Sequence, residues 1–179
     1  MGDAAAIGAV HVASWREAYA GILPEAMLAG LSAEARGAMW GGVIGDPEAF
    51  GGAAVFVVED EAGGMAGFGA CSAQRDAGLA RAGFGGEIGA LYVLGAHQGR
   101  GVGRALMAAL AGALAERGIE GAGLWVLREN APARRLYERL GGEVVGERVE
   151  REGEVSLVEI AYGWRELGGL AGAGGSDAS

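Results

Sequence analysis

The chain has 179 residues, of which 51% are hydrophobic, so it is long enough to fold as one domain with a sizeable core. Its formal net charge of −9 argues against nucleic-acid binding and favours a cationic small substrate, and no apolar run reaches the length of a membrane span. The single cysteine, Cys71, cannot form an intramolecular disulfide and no signal peptide is evident, which together predict a cytoplasmic protein.

The first half of the chain predicts a helical segment followed by a β-hairpin. Asp3 can cap a helix that runs to about Tyr19, Pro24 opens a short helix, and Ser32 can cap another that ends near Val43. Strands are predicted at 54–59 and 65–73, joined by a turn at 60–64, and a surface loop is predicted at 74–86.

The second half of the chain predicts a strand–helix–strand unit, then a helix and a second hairpin. The predicted strands are 87–94, 122–128, 143–149 and 155–162, and the predicted helices are 102–117 and a segment from 131. The strand–helix–strand unit implies parallel pairing with a right-handed crossover. We expect a single domain over residues 1–167 and a disordered glycine-rich tail over residues 168–179.

The stretch "HQGRGVGRALM" (97–107) places Gly99, Gly101 and Gly103 directly before a predicted helix. Unpaired amides at a helix N-terminus, next to the positive end of the helix dipole, form an anion site. Glycines lack the Cβ atoms that would hold a pyrophosphate away from these amides. The stretch therefore predicts a phosphate-binding loop.

Two common phosphate loops do not fit this spacing. A Walker A loop needs a lysine, and the chain contains none. A dinucleotide-binding G-x-G-x-x-G motif would need its third glycine at Arg104 or at Leu106, which argues against a nucleotide-dependent oxidoreductase. The remaining pattern is Q-x-x-G-x-G, formed by Gln98, Gly101 and Gly103.

This pattern resembles the acetyl-CoA loop of the GNAT superfamily of N-acetyltransferases, which has the form Q/R-x-x-G-x-G/A. The segment "EIGALYV" resembles the family's fourth strand, and "LWVLRENAPARRLYERLGG" resembles its fifth strand and the following helix. The early segment "HVASWREAYAGILP" resembles the start of one bacterial branch. It places Trp15, Glu17 and Tyr19 where the acceptor-side helix of the family lies.

The resemblance implies an α/β (α+β) fold of GNAT type. Its sheet is mixed, mostly antiparallel and twisted, with a splayed central parallel strand pair and flanking helices. The N-terminal strand of the family has no counterpart here, because the chain starts almost at the first helix. An uncovered sheet edge invites association, so a homodimer is a further expectation.

The resemblance also implies the reaction, in which a primary amine of a small molecule, peptide or protein attacks acetyl-CoA directly in a ternary complex. Tyr137 is the candidate acid for the leaving thiolate, and Glu87 is the candidate base. The amide of Val93 is expected to face the thioester oxygen. The implied cofactor-binding residues are Leu91, Tyr92, Val93, Gln98, Gly99, Arg100, Gly101, Val102, Gly103, Arg104, Asn130 and Tyr137.

Each of these assignments has a structural alternative. Tyr137 can instead fill the core, Glu87 can be a solvated glutamate at a strand start, and Asn130 can be a helix N-cap. His11 and His97 are far apart and lack a nearby ligand set, so no metal site is expected. At the level of function, the alternative is a module that binds acyl-CoA as a sensor, without catalysis.

Overall fold

In the computed structural model, which describes residues 2–152 and 155–172, the predicted strands and helices occur in the predicted order, and the chain forms additional short helices. The helices are α1 (Gly2–Tyr19), α2 (Glu25–Ala29), α3 (Ala33–Gly45), α4 (Ala77–Arg81), α5 (Val102–Glu116), α6 (Ala131–Arg139) and α7 (Gly168–Gly172). The strands are β1 (Ala54–Glu59), β2 (Met65–Ala73), β3 (Gly86–Val93), β4 (Ala122–Leu127), β5 (Glu143–Glu152) and β6 (Val155–Trp164).

The described strands form one sheet in the order β1-β2-β3-β4-β6-β5, in which only β3 and β4 are parallel. The parallel pairing is limited to two residue pairs, Gly86 with Ala122 and Glu87 with Gly123. The antiparallel ladders on either side continue past these pairs, so β3 and β4 diverge and leave a gap in the middle of the sheet. This confirms the predicted mixed sheet with a splayed parallel pair.

Helices cover both faces of the sheet. On one face, α1 and α3 pack against β2 and β3 around Ile7, Trp40 and Phe68. These two helices touch through their backbones, since a Cβ atom on Gly8 would lie 2.4 Å from the amide nitrogen of Gly37. On the other face, α5 buries an almost fully inaccessible stripe of side chains, namely Leu106, Met107, Leu110 and Leu114.

The predicted surface loop at 74–86 contains the short helix α4. Its N-cap is Asp76, whose Oδ1 accepts hydrogen bonds from the amides of Gly78 and Leu79 at 2.8 and 3.0 Å. The Leu79 side chain is buried against Phe84. The sequence did not indicate this helix, because a single turn is too short to show helical periodicity.

The boundary predicted for the disordered tail, at residue 168, lies too early in the chain. Residues 168–172 form α7, and Leu170 docks against the core beside α5 with 5% of its surface exposed. One buried leucine ties this glycine-rich segment to the domain, so the prediction is wrong for these residues. The rest of the tail, 173–179, and the predicted turn residues 153 and 154 lie outside the described residues.

The strand β1 lies at one edge of the sheet and pairs only with β2. In the described part of the chain, no strand precedes α1, although the family pattern includes one there. Among the described helices, none combines the length and the apolar character needed to cross a bilayer.

Candidate active site

A cavity of about 1150 Å³ opens where β3 and β4 diverge. Ligand pockets usually measure about 300–1,000 Å³, so this cavity is large enough for an extended cofactor and a second, smaller molecule. The walls come from β3, β4, the end of α1, the glycine loop before α5, and α6.

The main chain of β3 presents hydrogen-bonding groups to this cavity. The amide of Leu94 donates to the Ala66 carbonyl of β2 at 3.0 Å, and amides along an antiparallel strand alternate in direction. Tyr92 therefore also bonds to β2, whereas the amides of Leu91 and Val93 point toward the gap. The predicted main-chain roles of Leu91 and Val93 are compatible with this geometry. The amide of Tyr92 is bonded to β2, so Tyr92 can contact a bound molecule only through its side chain.

Gln98 fixes the glycine loop against the end of β3. Its side-chain Nε2 donates to the carbonyl of Val93 at 3.0 Å, and its amide donates to the carbonyl of Gly95 at 3.2 Å. The amide of Gln98 is thus already engaged. Gln98 therefore positions the loop, and its predicted role in cofactor binding stays a prediction.

The amides of residues 99–104 have no hydrogen-bond acceptor among the described residues. The first bond of α5 is donated by Ala105 to the carbonyl of Gly101 at 2.9 Å. Gly99 and Gly101 have φ values of 74° and 84°, the left-handed region that favours glycine, and no atom lies within 4 Å of where their Cβ atoms would be. Six consecutive amides without an acceptor, with open space at Gly99 and Gly101, are compatible with the predicted anion cradle.

Arginine side chains add positive charge to the same end of the cavity. Arg104 of α5 lines the cavity together with Arg135 and Arg139 of α6. Arg100 and Val102 are not among the residues that line the cavity, so their predicted contacts with the cofactor stay predictions. Guanidinium groups and free amides together suit a ligand with several phosphates.

Tyr137 combines a core ring with a free hydroxyl. Its ring packs against Tyr162 and Trp164 with centroid distances of 5.7 and 6.0 Å, yet Tyr137 also lines the cavity. The hydroxyl forms no hydrogen bond with another described residue. Burial raises the pKa of Tyr137 well above its usual value, and the nearby Tyr19 and Tyr92 raise it further. The side chain thus remains a protonated donor.

Asn130 has both of the roles that the sequence left open. Its Oδ1 caps α6 by accepting a hydrogen bond from the amide of Ala133 at 3.3 Å. The same side chain lines the cavity, next to the hydroxyl of Tyr19. The capping bond orients the Asn130 amide group at the cavity wall.

The side chain of Glu87 does not line the cavity. Its Oε1 lies 2.6 Å from one terminal nitrogen of Arg75, and its Oε2 accepts from Nε and the amide of Arg75 at 2.9 and 3.1 Å. Both carboxylate oxygens are thus occupied, and Glu87 is not a lining residue. The base assignment of Glu87 stays a prediction, but this ion pair opposes it.

The end of α1 forms another wall of the cavity. Ser14, Glu17, Ala18 and Tyr19 line it, whereas Trp15 does not. The sequence resemblance had placed Glu17 and Tyr19 on this side but had missed Ser14. The only signal for Ser14 was its position three residues before Glu17, which puts both side chains on one helix face.

His11 supports this wall from behind. Its Nδ1 accepts a hydrogen bond from Nε1 of Trp40 at 3.0 Å, and its ring stacks on Tyr92 at a centroid distance of 4.8 Å. Burial, with a smaller effect from Arg36, lowers the pKa of His11 to about 4. His11 is therefore a neutral core residue at ordinary pH.

Comparisons with known proteins agree with this geometry. The model of the acetyltransferase (GNAT) family matches residues 24–142. An uncharacterized N-acetyltransferase of Bacillus subtilis strain 168, YuaI, is 33% identical over 167 residues, which cover 92% of this chain and 88% of the relative.

Solved structures share the fold. The PaiA N-acetyltransferase from Thermoplasma acidophilum, in complex with coenzyme A, has a TM-score of 0.66 at 18% identity and covers 89% of this chain and 92% of its own. The putative acetyltransferase YncA from Salmonella typhimurium, with acetyl-CoA, has a TM-score of 0.65 at 20% identity and covers 92% of this chain and 88% of its own.

Proposed function

Because the chain belongs to the GNAT acetyltransferase family, we propose that it transfers an acetyl group from acetyl-CoA to a primary amine. The observation that carries this proposal is the run of free amides at 99–104, beside the gap between β3 and β4. A pyrophosphate fits the cradle, and an extended pantetheine arm fits the gap between the two strands.

The residues present suit such a ligand along its whole length. Arg104, Arg135 and Arg139 can pair with phosphates, and the gap-facing amides of Leu91 and Val93 can bond to the amide groups of a pantetheine arm. When bound, acetyl-CoA supplies an activated acyl group as a thioester.

In the proposed reaction, the protein stabilises the developing oxyanion and supplies a proton to the leaving group. The neutral amine forms a bond to the carbonyl carbon as the carbon–sulfur bond breaks. The amide of Val93 can stabilise the negative charge that develops on the carbonyl oxygen. Tyr137, whose hydroxyl is free and protonated, can give its proton to the leaving thiolate and recover one from solvent.

The amine must lose a proton before or during attack. We propose that solvent takes it, because the cavity is open and the carboxylate of Glu87 is occupied by Arg75. The rate should then rise with pH toward the pKa of the amine itself. Glu87→Gln should keep kcat, and a loss of about hundredfold would restore Glu87 as the base.

Three finer assignments belong to the same proposal. The acceptor is a small-molecule or peptide amine. The setting is the cytoplasm, supported by a single buried cysteine, Cys71, with no partner for a disulfide. The edge strand β1 is a candidate interface for a homodimer, which sedimentation can test.

The direct experiment measures thiol release from acetyl-CoA with dithionitrobenzoate over a panel of amines, alongside calorimetric titration with acetyl-CoA. We expect binding and an amine-dependent release of thiol. Absence of binding would overturn the proposal. Tight binding without release on a broad panel would instead favour the acyl-CoA sensor.

A further inference from the structure

A short 3-10 turn (Gly95–His97) joins β3 to the glycine loop. Within this turn, the amides of His97 and Gln98 donate to the carbonyls of Leu94 and Gly95 at 2.8 and 3.2 Å. The first amide of a helical turn has no acceptor within the turn itself. The amide of Gly95 is therefore available to a partner from another part of the chain.

Glu17 of α1 supplies that partner. Its Oε2 accepts a hydrogen bond from the amide of Gly95 at 2.7 Å, although the two residues are 78 positions apart in the sequence. A Cβ atom on Gly95 would lie 3.1 Å from the same oxygen, closer than an ordinary contact, so the glycine allows the carboxylate to approach. A bond from an amide to an ionised carboxylate is stronger than one between neutral groups. The start of the glycine loop is thus bonded to α1.

Gln98 connects Gly95 to the free amides of the loop. Its amide donates to the carbonyl of Gly95 at 3.2 Å, and its Nε2 donates to the carbonyl of Val93 at 3.0 Å. The run of amides without an acceptor starts at the next residue, Gly99. Two hydrogen bonds therefore link the carboxylate of Glu17 to the segment proposed to hold a pyrophosphate.

A second side chain, that of Asp60 in the turn between β1 and β2, contacts the same 3-10 turn. Its Oδ2 lies 3.6 Å from Nε2 of His97, and both side chains are partly exposed. An ion pair of this kind contributes little, and only when the histidine is protonated. The bond from Glu17 is therefore the stronger of these two contacts at neutral pH.

The charge of Glu17 has the wrong sign for a direct contact with phosphate. A carboxylate repels phosphate groups, so Glu17 can favour their binding only by holding the backbone that binds them. We infer that Glu17 is a positioning residue, which orients the glycine loop for a pyrophosphate through the amide of Gly95. This inference rests on the proposed function and deepens it.

The test replaces Glu17 in two ways. Glu17→Ala removes the acceptor, whereas Glu17→Gln removes the charge and keeps an oxygen that can accept from Gly95. Calorimetry with coenzyme A should show a Kd about fivefold higher in Glu17→Ala, the effect of one exposed hydrogen bond, and within about twofold of wild type in Glu17→Gln. Glu116→Ala, at the exposed end of α5, is the matched control and should leave this Kd unchanged.

Two acetyl donors separate a role at the loop from a general loss of structure. S-acetylpantetheine has the thioester and the pantetheine arm of acetyl-CoA but lacks the adenosine and the phosphates. Glu17→Ala should raise the KM for acetyl-CoA about fivefold and leave unchanged kcat, the KM for the amine and the kcat/KM for S-acetylpantetheine. Equal losses with both donors would overturn the inference, because a general change of structure affects both.

The remaining outcomes keep the two proposals distinct. A wild-type Kd for coenzyme A in Glu17→Ala would overturn the positioning role and leave acetyl transfer intact. An equal rise of Kd in Glu17→Ala and Glu17→Gln would also overturn it, because the loss of charge is common to both changes. If the wild-type protein does not bind coenzyme A, the proposed function fails and this inference fails with it.

Discussion

The two ends of the cavity are built from different parts of the chain. At the loop end, the groups proposed to bind the cosubstrate are mainly the main-chain amides of residues 99–104, whose directions depend on two left-handed glycines and on the start of α5. At the α1 end, the cavity is lined by side chains such as those of Glu17 and Tyr19. The loop end should therefore be sensitive to backbone conformation, and the α1 end to the loss of single side-chain atoms.

This difference has a consequence for specificity. Amides are the same whatever the residue, so a backbone-built end can hold a constant ligand through changes in many side chains. An end built from side chains on a helix can change its ligand without altering the fold. We therefore expect most side-chain substitutions to change which amine binds more readily than they change the binding of acetyl-CoA.

The largest expected effect is at Gly101, whose φ of 84° a β-branched residue adopts only with strain. Gly101→Val should lower kcat/KM for acetyl-CoA by roughly a thousandfold, since strain of about 1–3 kcal/mol adds to the loss of charge-assisted amide bonds. The KM for the amine should change little. Steady-state kinetics with each substrate varied in turn would measure both.

Gly112 provides the matched control on the same helix. A Cβ atom there meets nothing within 4 Å, and the position is inside α5. Gly112→Ala should raise the free energy of unfolding by about 1 kcal/mol and leave acetyl-CoA binding unchanged. Wild-type affinity in Gly101→Val would mean that the loop end does not depend on its backbone.

The second-largest expected effect is at Tyr137, which also lines the cavity. Tyr137→Phe should lower kcat about a hundredfold with little change in either KM, because it removes a proton donor and keeps the ring. Burial raises the pKa of Tyr137, so the donor stays protonated and kcat should show no decline below about pH 10. A pH–rate profile of the wild-type enzyme and the variant would test both statements.

Tyr162 is the control for this change. Its ring packs beside that of Tyr137, but its hydroxyl accepts from Arg134 and donates to Glu138, and it does not line the cavity. Tyr162→Phe should cost stability and keep kcat. Equal losses of kcat in both variants would assign Tyr137 to the core alone.

The smallest effect concerns His11 behind the α1 wall. Because the folded state lowers its pKa from 6.5 to about 4, the stability that His11 contributes is present above pH 6.5 and is lost as the pH falls toward 4. We expect a loss of roughly 2 kcal/mol over this range. His11→Phe should remove this part of the acid dependence.

Urea denaturation at several pH values would measure the effect, with His97→Gln as the comparison because the chain contains two histidines. That variant should keep the wild-type acid dependence. If His11→Phe and the wild-type protein lose stability in parallel, carboxylates rather than His11 cause the acid sensitivity.

The sequence indicated the backbone geometry of the loop end, because that geometry depends on neighbouring residues only. The amides of 99–104 lack acceptors, and Gly99 and Gly101 have left-handed φ values, whereas the binding of phosphate by this loop stays a prediction. The sequence also predicted almost every strand and long helix, since each shows its own periodicity. The splayed pair β3 and β4 came from the family resemblance rather than from the pattern of residues.

The sequence could not show contacts that depend on distant parts of the chain. The register of β2 and β3 brings Arg75 beside Glu87, and this ion pair opposes the predicted role of Glu87 as the base without testing it. Leu170 lies in a glycine-rich segment that looks disordered until its docking site beside α5 is known.

The divergence of β3 and β4 leaves the sheet as two three-stranded halves that share only two residue pairs. A pantetheine arm bonded to the free amides of β3 would occupy the place of a missing strand. The bound cosubstrate would thus connect the two halves of the sheet through hydrogen bonds. The sheet should then be more rigid when acetyl-CoA is bound and less rigid after coenzyme A leaves.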